Sequence, residues 1–426
     1  MSVVHSRHSR WCGGCRSPPV DPAQRQPPRR KHFYSWVATD REQLETTERL
    51  VLQGLPYHQA RVAGLNTIST DDIRELDDDS GVARAGAAAA AAAVVAGASD
   101  PSAGVKDKDV LVLVHGFAGG VAGWAQNWAC LAEHYRVYAF DLPGFARSER
   151  RATTATSVTE AMDFFCDYLD RWFARLDFAR PVMVLAHSFG CFVSAHYAMR
   201  RGPTRIQLLL MAEPWGLMRS DPERIKRFPL FARMLLALFR NVSPLALLRG
   251  AGPAGPSLLR RTRPDFEEKW RAFLDDPSAM YDYLYHCNAQ HPAVGERLFK
   301  ACCHYDVCAK EPLVDTLPGT LDTGVRVGLL FGGKSWLNAP EGAELATLLR
   351  AAGNRVQLDT LASAGHQIFT DDVAGFNAKA VDMIAALTSA APLHSLSPAE
   401  PLVQAPELEP QPQPEPTPVP VPLPDV

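Results

Sequence analysis

Pro181–Arg200, PVMVLAHSFGCFVSAHYAMR, decides how this chain is read. Val182 to Ala186 is an unbroken apolar run, His187-Ser188-Phe189-Gly190 interrupts it, and a helix-period pattern follows at Phe192, Ala195, His196 and Met199. Strand, sharp turn and helix in that order form the setting in which a serine is presented as a nucleophile on strained backbone. Such a turn needs small residues two before and two after the serine. Ala186 and Gly190 supply them around Ser188, with alanine standing where glycine is usual.

The same alternation extends outward from this stretch. Val110–Val114, Val137–Asp141, Ile206–Met211, Val325–Phe331 and Val356–Leu361 read as further strands, and helical patterns separate most of them. That is an α/β fold with a mostly parallel sheet flanked by helices. The interval of about 214–318 has helical patterning and no comparable strand, which predicts a helical cap inserted between two strands of the core.

Composition bounds the rest. The chain has 426 residues, 46% of them apolar, which is ample for a sizeable core. A net charge of −3 gives no reason to expect a nucleic-acid partner. Nine cysteines at irregular spacing, with no convincing secretory signal, predict reduced thiols and a cytoplasmic protein. No run has membrane-spanning quality, since 87–98 is nearly all alanine and glycine. Residues 1–33 are basic and proline-bearing, an expected disordered N-terminus. Their Arg-rich, acid-poor character also suits a mitochondrial transit peptide, although the prolines and the missing apolar face count against one. Cys12 and Cys15 have no second pair and read as incidental thiols. Residues 34–386 are expected to form the folded domain, with a helix pattern from Asp40 to Leu52 and a low-complexity insertion at 75–107. The segment 387–426 is proline-rich and acidic, an expected disordered tail that could offer a polyproline ligand to a protein partner.

Acyl transfer needs a nucleophile, a base, a group that orients the base, and donors for the oxyanion. Ser188 is the nucleophile candidate. His366, in the Ala364-Gly365-His366 loop after the last strand, is the candidate base. The backbone N–H of Phe189 and that of Phe117, in the glycine-rich His115–Gly120 loop, are the candidate oxyanion donors. The orienting acid is open. The loop after Val325–Phe331 holds no aspartate but offers Asn338 and Glu341, while Glu213 follows the strand Ile206–Met211, and all three are contenders. His366 and Asp371 also fit an H-x4-D pattern in which a histidine activates an acceptor hydroxyl. The competing reading makes Thr370, Asp371 and Asp372 an N-cap for the helix that follows. Cys302, Cys303, His304 and Cys308 have metal-like composition but read as structural thiols, and Cys191 is expected to pack beneath the elbow.

Beyond these residues, HGFAGG at His115, YAFDLPGFARS at Tyr138, EPWG at Glu213, AGPAGPSLLRRTRPDF at Ala251, YLYHCNAQ at Tyr283 and GHQIFTD at Gly365 carry a resemblance. The chain resembles the α/β-hydrolase domain-containing proteins four and five, across roughly Phe33 to Ala386. The resemblance implies the α/β-hydrolase fold with an inserted cap and a lipid substrate. It also implies a serine hydrolase of acyl glycerophospholipids or lysophospholipids, because family members that keep serine at the elbow are enzymes. The alternatives it implies are a lysophosphatidic acid acyltransferase, with acyl-CoA as co-substrate in place of any resident cofactor, and a non-enzymatic lipase co-activator on lipid surfaces. Aligned with the family, its acid falls on Asn338, and its lipid-binding tryptophan segment is matched by Trp36 alone. A peripheral membrane or lipid-droplet location follows from the same likeness. Independently, Arg219–Arg249 sets Arg224, Lys226, Arg227, Arg233, Arg240 and Arg249 beside apolar residues, a basic amphipathic stretch suited to an anionic interface.

Overall fold

Three neighbouring parallel strands, β3 (Val110–Val114), β5 (Val182–His187) and β6 (Ile206–Ala212), are buried almost throughout, which is why their sequences are predominantly apolar. They sit at the centre of an eight-stranded sheet ordered β1-β2-β4-β3-β5-β6-β7-β8. β4 (Arg136–Phe140), β7 (Arg326–Gly332) and β8 (Val356–Leu361) join them in parallel. A hairpin of β1 (His58–Val62) and β2 (Leu65–Ser69) adds antiparallel strands at one edge. The computed structural model describes residues 39–74, 108–221, 223, 226, 244–335 and 340–389. The basic N-terminus with Cys12, Cys15 and Trp36, the insertion at 75–107 and the tail from 390 lie outside the described residues.

The hairpin has no counterpart among the strands read from sequence. Its two-residue turn, Ala63-Gly64, has positive φ at both positions, 49° and 81°. Such turns usually announce themselves as Asn-Gly or Asp-Gly, and alanine removes that signal. The expected helix near Asp40 is α1 (Arg41–Val51), capped by the Asp40 side chain, which accepts from the Gln43 N–H at 2.7 Å.

Helices α2 (Ala125–His134), α3 (Val158–Leu176) and α4 (Phe189–Arg205) alternate with the strands, α3 opening on a capping box of Ser157 and Glu160. Between β6 and β7 the described chain runs through α5 (Pro244–Gly250), α6 (Gly255–Thr262), α7 (Asp265–Trp270), α8 (Ala279–Ala289), α9 (Val294–Cys302) and α10 (Leu313–Thr316). α11 (Pro340–Ala351), α12 (Ile368–Asp371) and α13 (Val373–Thr388) complete the order. Pairing aligns Val114 with Ala186, His187 with Ala212, and Gly332 with Leu361. The loops leaving β3, β5, β6, β7 and β8 therefore emerge at one edge of the sheet, the carboxyl edge at which such folds hold ligands.

Most of the basic amphipathic stretch falls outside the described residues. Arg249, counted within it from sequence, does not face an interface: its side chain is 11% exposed and bonds Glu296 at 2.6 Å inside the inserted helices. Lys226 pairs with Glu223 at 2.5 Å. Among the described residues no helix is long and apolar enough to cross a membrane.

Candidate active site

β5 ends at His187 and α4 begins at Phe189, so Ser188 is the hinge between them. Its backbone is at φ 52°, ψ −119°, and the residue is 7% exposed. A non-glycine residue in that region persists only where neighbours over-determine it. Ser188 N–H donates to Ala212 O at 3.1 Å, and Ser188 O accepts from Cys191 N–H at 3.0 Å and Trp215 N–H at 3.2 Å. A Cβ at Gly190 would stand 2.5 Å from His115 O, so the turn admits only glycine there. Cys191 lies beneath the elbow, its thiol on Ala186 O at 3.1 Å. Phe189 is the first residue of α4, and its N–H has no acceptor within the helix.

The loop after β3 reaches the same point. Gly116–Gly119 is a turn closed by Gly119 N–H on Gly116 O at 3.1 Å, with Ala118 at φ 62°. A Cβ on Gly116 would stand 2.9 Å from Ser188 Cβ, which places Phe117, the next residue, beside the nucleophile. His115 fixes the base of this loop: Nδ1–H donates to Gly116 O at 2.8 Å and Nε2 accepts from Leu142 N–H at 2.8 Å. Burial lowers its pKa to about 4, so the neutral tautomer these bonds require is the one present at neutral pH.

His366 follows β8. Its Nδ1–H donates to Glu213 Oε2 at 3.2 Å, and Glu213 is wholly buried. Glu213 follows β6 directly at φ 50°, its N–H on Leu330 O at 2.8 Å. The carboxylate takes two further donors, Gly332 N–H on Oε1 and the Ser335 hydroxyl on Oε2. His187, next to Ser188 in the chain, donates from Nε2 to His366 O at 2.8 Å, with the two rings 4.9 Å apart. Burial holds His187 neutral, its pKa driven down to about 3.

Of the three acids in contention from sequence, Glu213 is therefore the carboxylate on the imidazole. Asn338 lies outside the described residues, and Glu341 sits in the first turn of α11, partly exposed. Asp371 is not the helix cap: Asp372 is, accepting from Gly375 N–H at 2.9 Å. Asp371 instead accepts Gly365 N–H at 2.7 Å and pairs with Lys269 of α7 at 2.6 Å. Sequence reasoning passed over Ser335. Its only signal is its place in the loop after β7, where this architecture usually carries the acid.

Phe117 and Phe189 also contribute rings. Phe299 of α9 stacks on Phe117 with centroids 4.2 Å apart and meets Phe189 and Trp215 at 4.9 Å each. An apolar aromatic surface thus adjoins Phe117 and Phe189, the two residues whose N–H groups are the oxyanion candidates, and apolar lining of that kind suits an acyl chain. Among the described residues no group of three or more His, Cys, Asp or Glu is arranged to hold a metal, and Cys302, Cys303 and Cys308, whose composition alone suggested one, form no disulfide.

Comparison with known proteins bears on the fold and the family. A family model described as alpha/beta hydrolase fold matches residues 109–250. The (lyso)-N-acylphosphatidylethanolamine lipase of Bos taurus is 33% identical over 277 residues, 64% of this chain and 78% of that protein. Human 1-acylglycerol-3-phosphate O-acyltransferase ABHD5 is 34% identical over 277 residues, 65% of this chain and 77% of that protein. Among solved structures, a membrane phospholipase A that is a bacterial virulence factor aligns at TM-score 0.51 and 18% identity, covering 81% of this chain and 91% of that one. A structure from Acinetobacter baumannii AYE aligns at 0.53 and 17% identity, covering 82% and 97%. At that identity the two structures speak to the fold.

Proposed function

Since the chain belongs to the α/β-hydrolase family of (lyso)-N-acylphosphatidylethanolamine lipase and ABHD5, we propose that it is a serine hydrolase of acyl glycerophospholipids or lysophospholipids, working through an acyl-Ser188 intermediate. The observation that carries this reading is the Glu213–His366 bond of 3.2 Å in a loop tied to the strained elbow that holds Ser188.

Ser188 Oγ attacks the ester carbonyl while His366 takes its proton. The oxyanion settles between the N–H groups of Phe117 and Phe189, and Glu213 stabilises the imidazolium. Collapse expels the glycerol alkoxide, which His366 protonates, and water then cleaves acyl-Ser188 to fatty acid and free enzyme with His366 as base. No resident cofactor enters. A fluorophosphonate should label wild type and not Ser188→Ala, and radiolabelled phospholipid should yield free fatty acid with wild type alone. Hydrolysis that survives in Ser188→Ala sinks the reading.

The identity to ABHD5, named as an acyltransferase, supports a second reading in which a lysophospholipid hydroxyl, in place of water, takes the acyl group from Ser188 or from acyl-CoA. Counting against Asp371 as a partner in that step, its oxygens are engaged by Gly365 and Lys269. We further propose that the protein sits peripherally on membranes or lipid droplets through the part of the basic stretch that carries Arg224, Lys226 and Arg227. It should co-sediment with anionic liposomes and lose that on charge reversal of Arg224, Lys226 and Arg227; sedimentation indifferent to lipid charge excludes this placement.

A further inference from the structure

The string Tyr283–Gln290 marks the chain's family, yet none of the chemistry above uses it. It forms most of α8, and its side chains reach the loop that carries Phe117. Asn288, 8% exposed, donates from Nδ2 to Ala118 O at 2.9 Å and to Leu284 O of its own helix at 2.8 Å. The Tyr283 hydroxyl accepts from Ala122 N–H at 3.2 Å, just beyond the same turn. The backbone of Asn288 is itself held, because its main-chain carbonyl accepts from Arg249 Nη1–H, whose Nη2 is on Glu296.

The turn needs such support. Ala118, at φ 62°, occupies a conformation that alanine disfavours, and it keeps that shape only if its surroundings impose it. Gly116 O and Phe117 N–H belong to one planar peptide, so holding that carbonyl aims the N–H. His115 and Gly119 hold it from the core side. Ala118 O, on the far side of Phe117, is held by Asn288 from the inserted helix.

We infer that Asn288 is a positioning residue for the oxyanion donor: α8 fixes the Ala118 peptide and thereby the direction of the Phe117 N–H, making the inserted helices a working part of the catalytic site. This rests on the serine-hydrolase reading. The test is fluorophosphonate labelling of Ser188 in the full chain, with the inactivation rate resolved from reagent affinity. Phosphonylation develops charge on an oxygen in the oxyanion site, whereas reagent binding does not. Asn288→Leu should slow inactivation roughly 10- to 100-fold, part of the loss known for removing one such donor, while affinity changes by less than about twofold. Asn288→Asp should be slow when ionised, its carboxylate facing two carbonyls. Relative to wild type at each pH it should recover on acidification, as the protonated acid again donates to Ala118 O.

Wild-type rates in Asn288→Leu, or an effect confined to affinity, overturn the inference. Should Asn288→Leu fail to fold, a pH-independent ratio for Asn288→Asp overturns it. If wild type does not label at Ser188, the proposed function fails and takes this inference with it; labelling that is equal in wild type and variants defeats this inference alone.

Discussion

Glu213 receives three donors, from His366, Ser335 and Gly332, and is fully buried, so each bond has a different consequence if lost. Glu213→Gln keeps size and an acceptor but cannot stabilise an imidazolium, and kcat for ester hydrolysis should fall on the order of 10³- to 10⁴-fold with KM little changed. Ser335→Ala removes one donor to the acid and should cost about tenfold. Full activity in Glu213→Gln would return the acid to Asn338 or Glu341. For Asp371 the two readings part: if it braces Gly365, Asp371→Asn reduces hydrolysis and acyl transfer by the same factor, whereas loss of transfer alone would restore the H-x4-D role. Ser188, His366 and the two oxyanion candidates could be nominated from sequence because each is announced by its chain neighbours, a turn, a glycine run or a strand end. The choice of acid was not, because it depends on which of two loops, more than 100 residues apart, faces the imidazole. Asn288 and Ser335 were illegible for the same reason, each acting on a group distant in sequence.

At the scale of elements, the central strands could be read because parallel strands covered on both faces are continuous apolar runs, as Val110–Val114 and Val182–Ala186 are. The β1–β2 hairpin, an edge element with an unannounced turn, could not. α4 carries a further consequence of burial. His196 lies 8% exposed with its ring 4.5 Å from Phe192, and burial, with a smaller contribution from Arg200, lowers its pKa to about 4. The unfolded chain takes up this proton near pH 6.5 and the folded chain only near pH 4, so between those values the unfolded state binds more protons and stability is lost as the pH is lowered. His196→Leu removes that proton uptake. Measured by urea unfolding, the stability of His196→Leu minus that of wild type should be constant above about pH 7 and rise steadily as pH drops from 6.5 toward 4.5. A difference that stays flat across that range would mean His196 is not held neutral.

Across the whole molecule, the inserted helices and the sheet are joined by polar bonds at the site as well as by packing. Arg150 makes this concrete: its guanidinium donates to Gly144 O at 2.7 Å and Ala146 O at 3.1 Å in the core loop, and to Cys287 O at 3.2 Å and Pro292 O at 3.3 Å beside α8. Among the described residues it bonds carbonyls and no acid, and burial pushes its pKa down to about 10. Such a cation serves to hold two segments of backbone together, and removing it strands carbonyls on both. Arg150→Met should therefore destabilise the chain by about 2–4 kcal/mol, a fall in Tm on the order of 3–6 °C. Because α8 also holds the oxyanion turn, the inserted helices and the core should unfold together, and calorimetry of the variant should show one transition displaced to lower temperature. A new early transition with the main one unmoved would mean that the insertion melts by itself. In that event the oxyanion turn, losing Asn288 with it, should stop supporting Ser188 labelling at the temperature of the early transition.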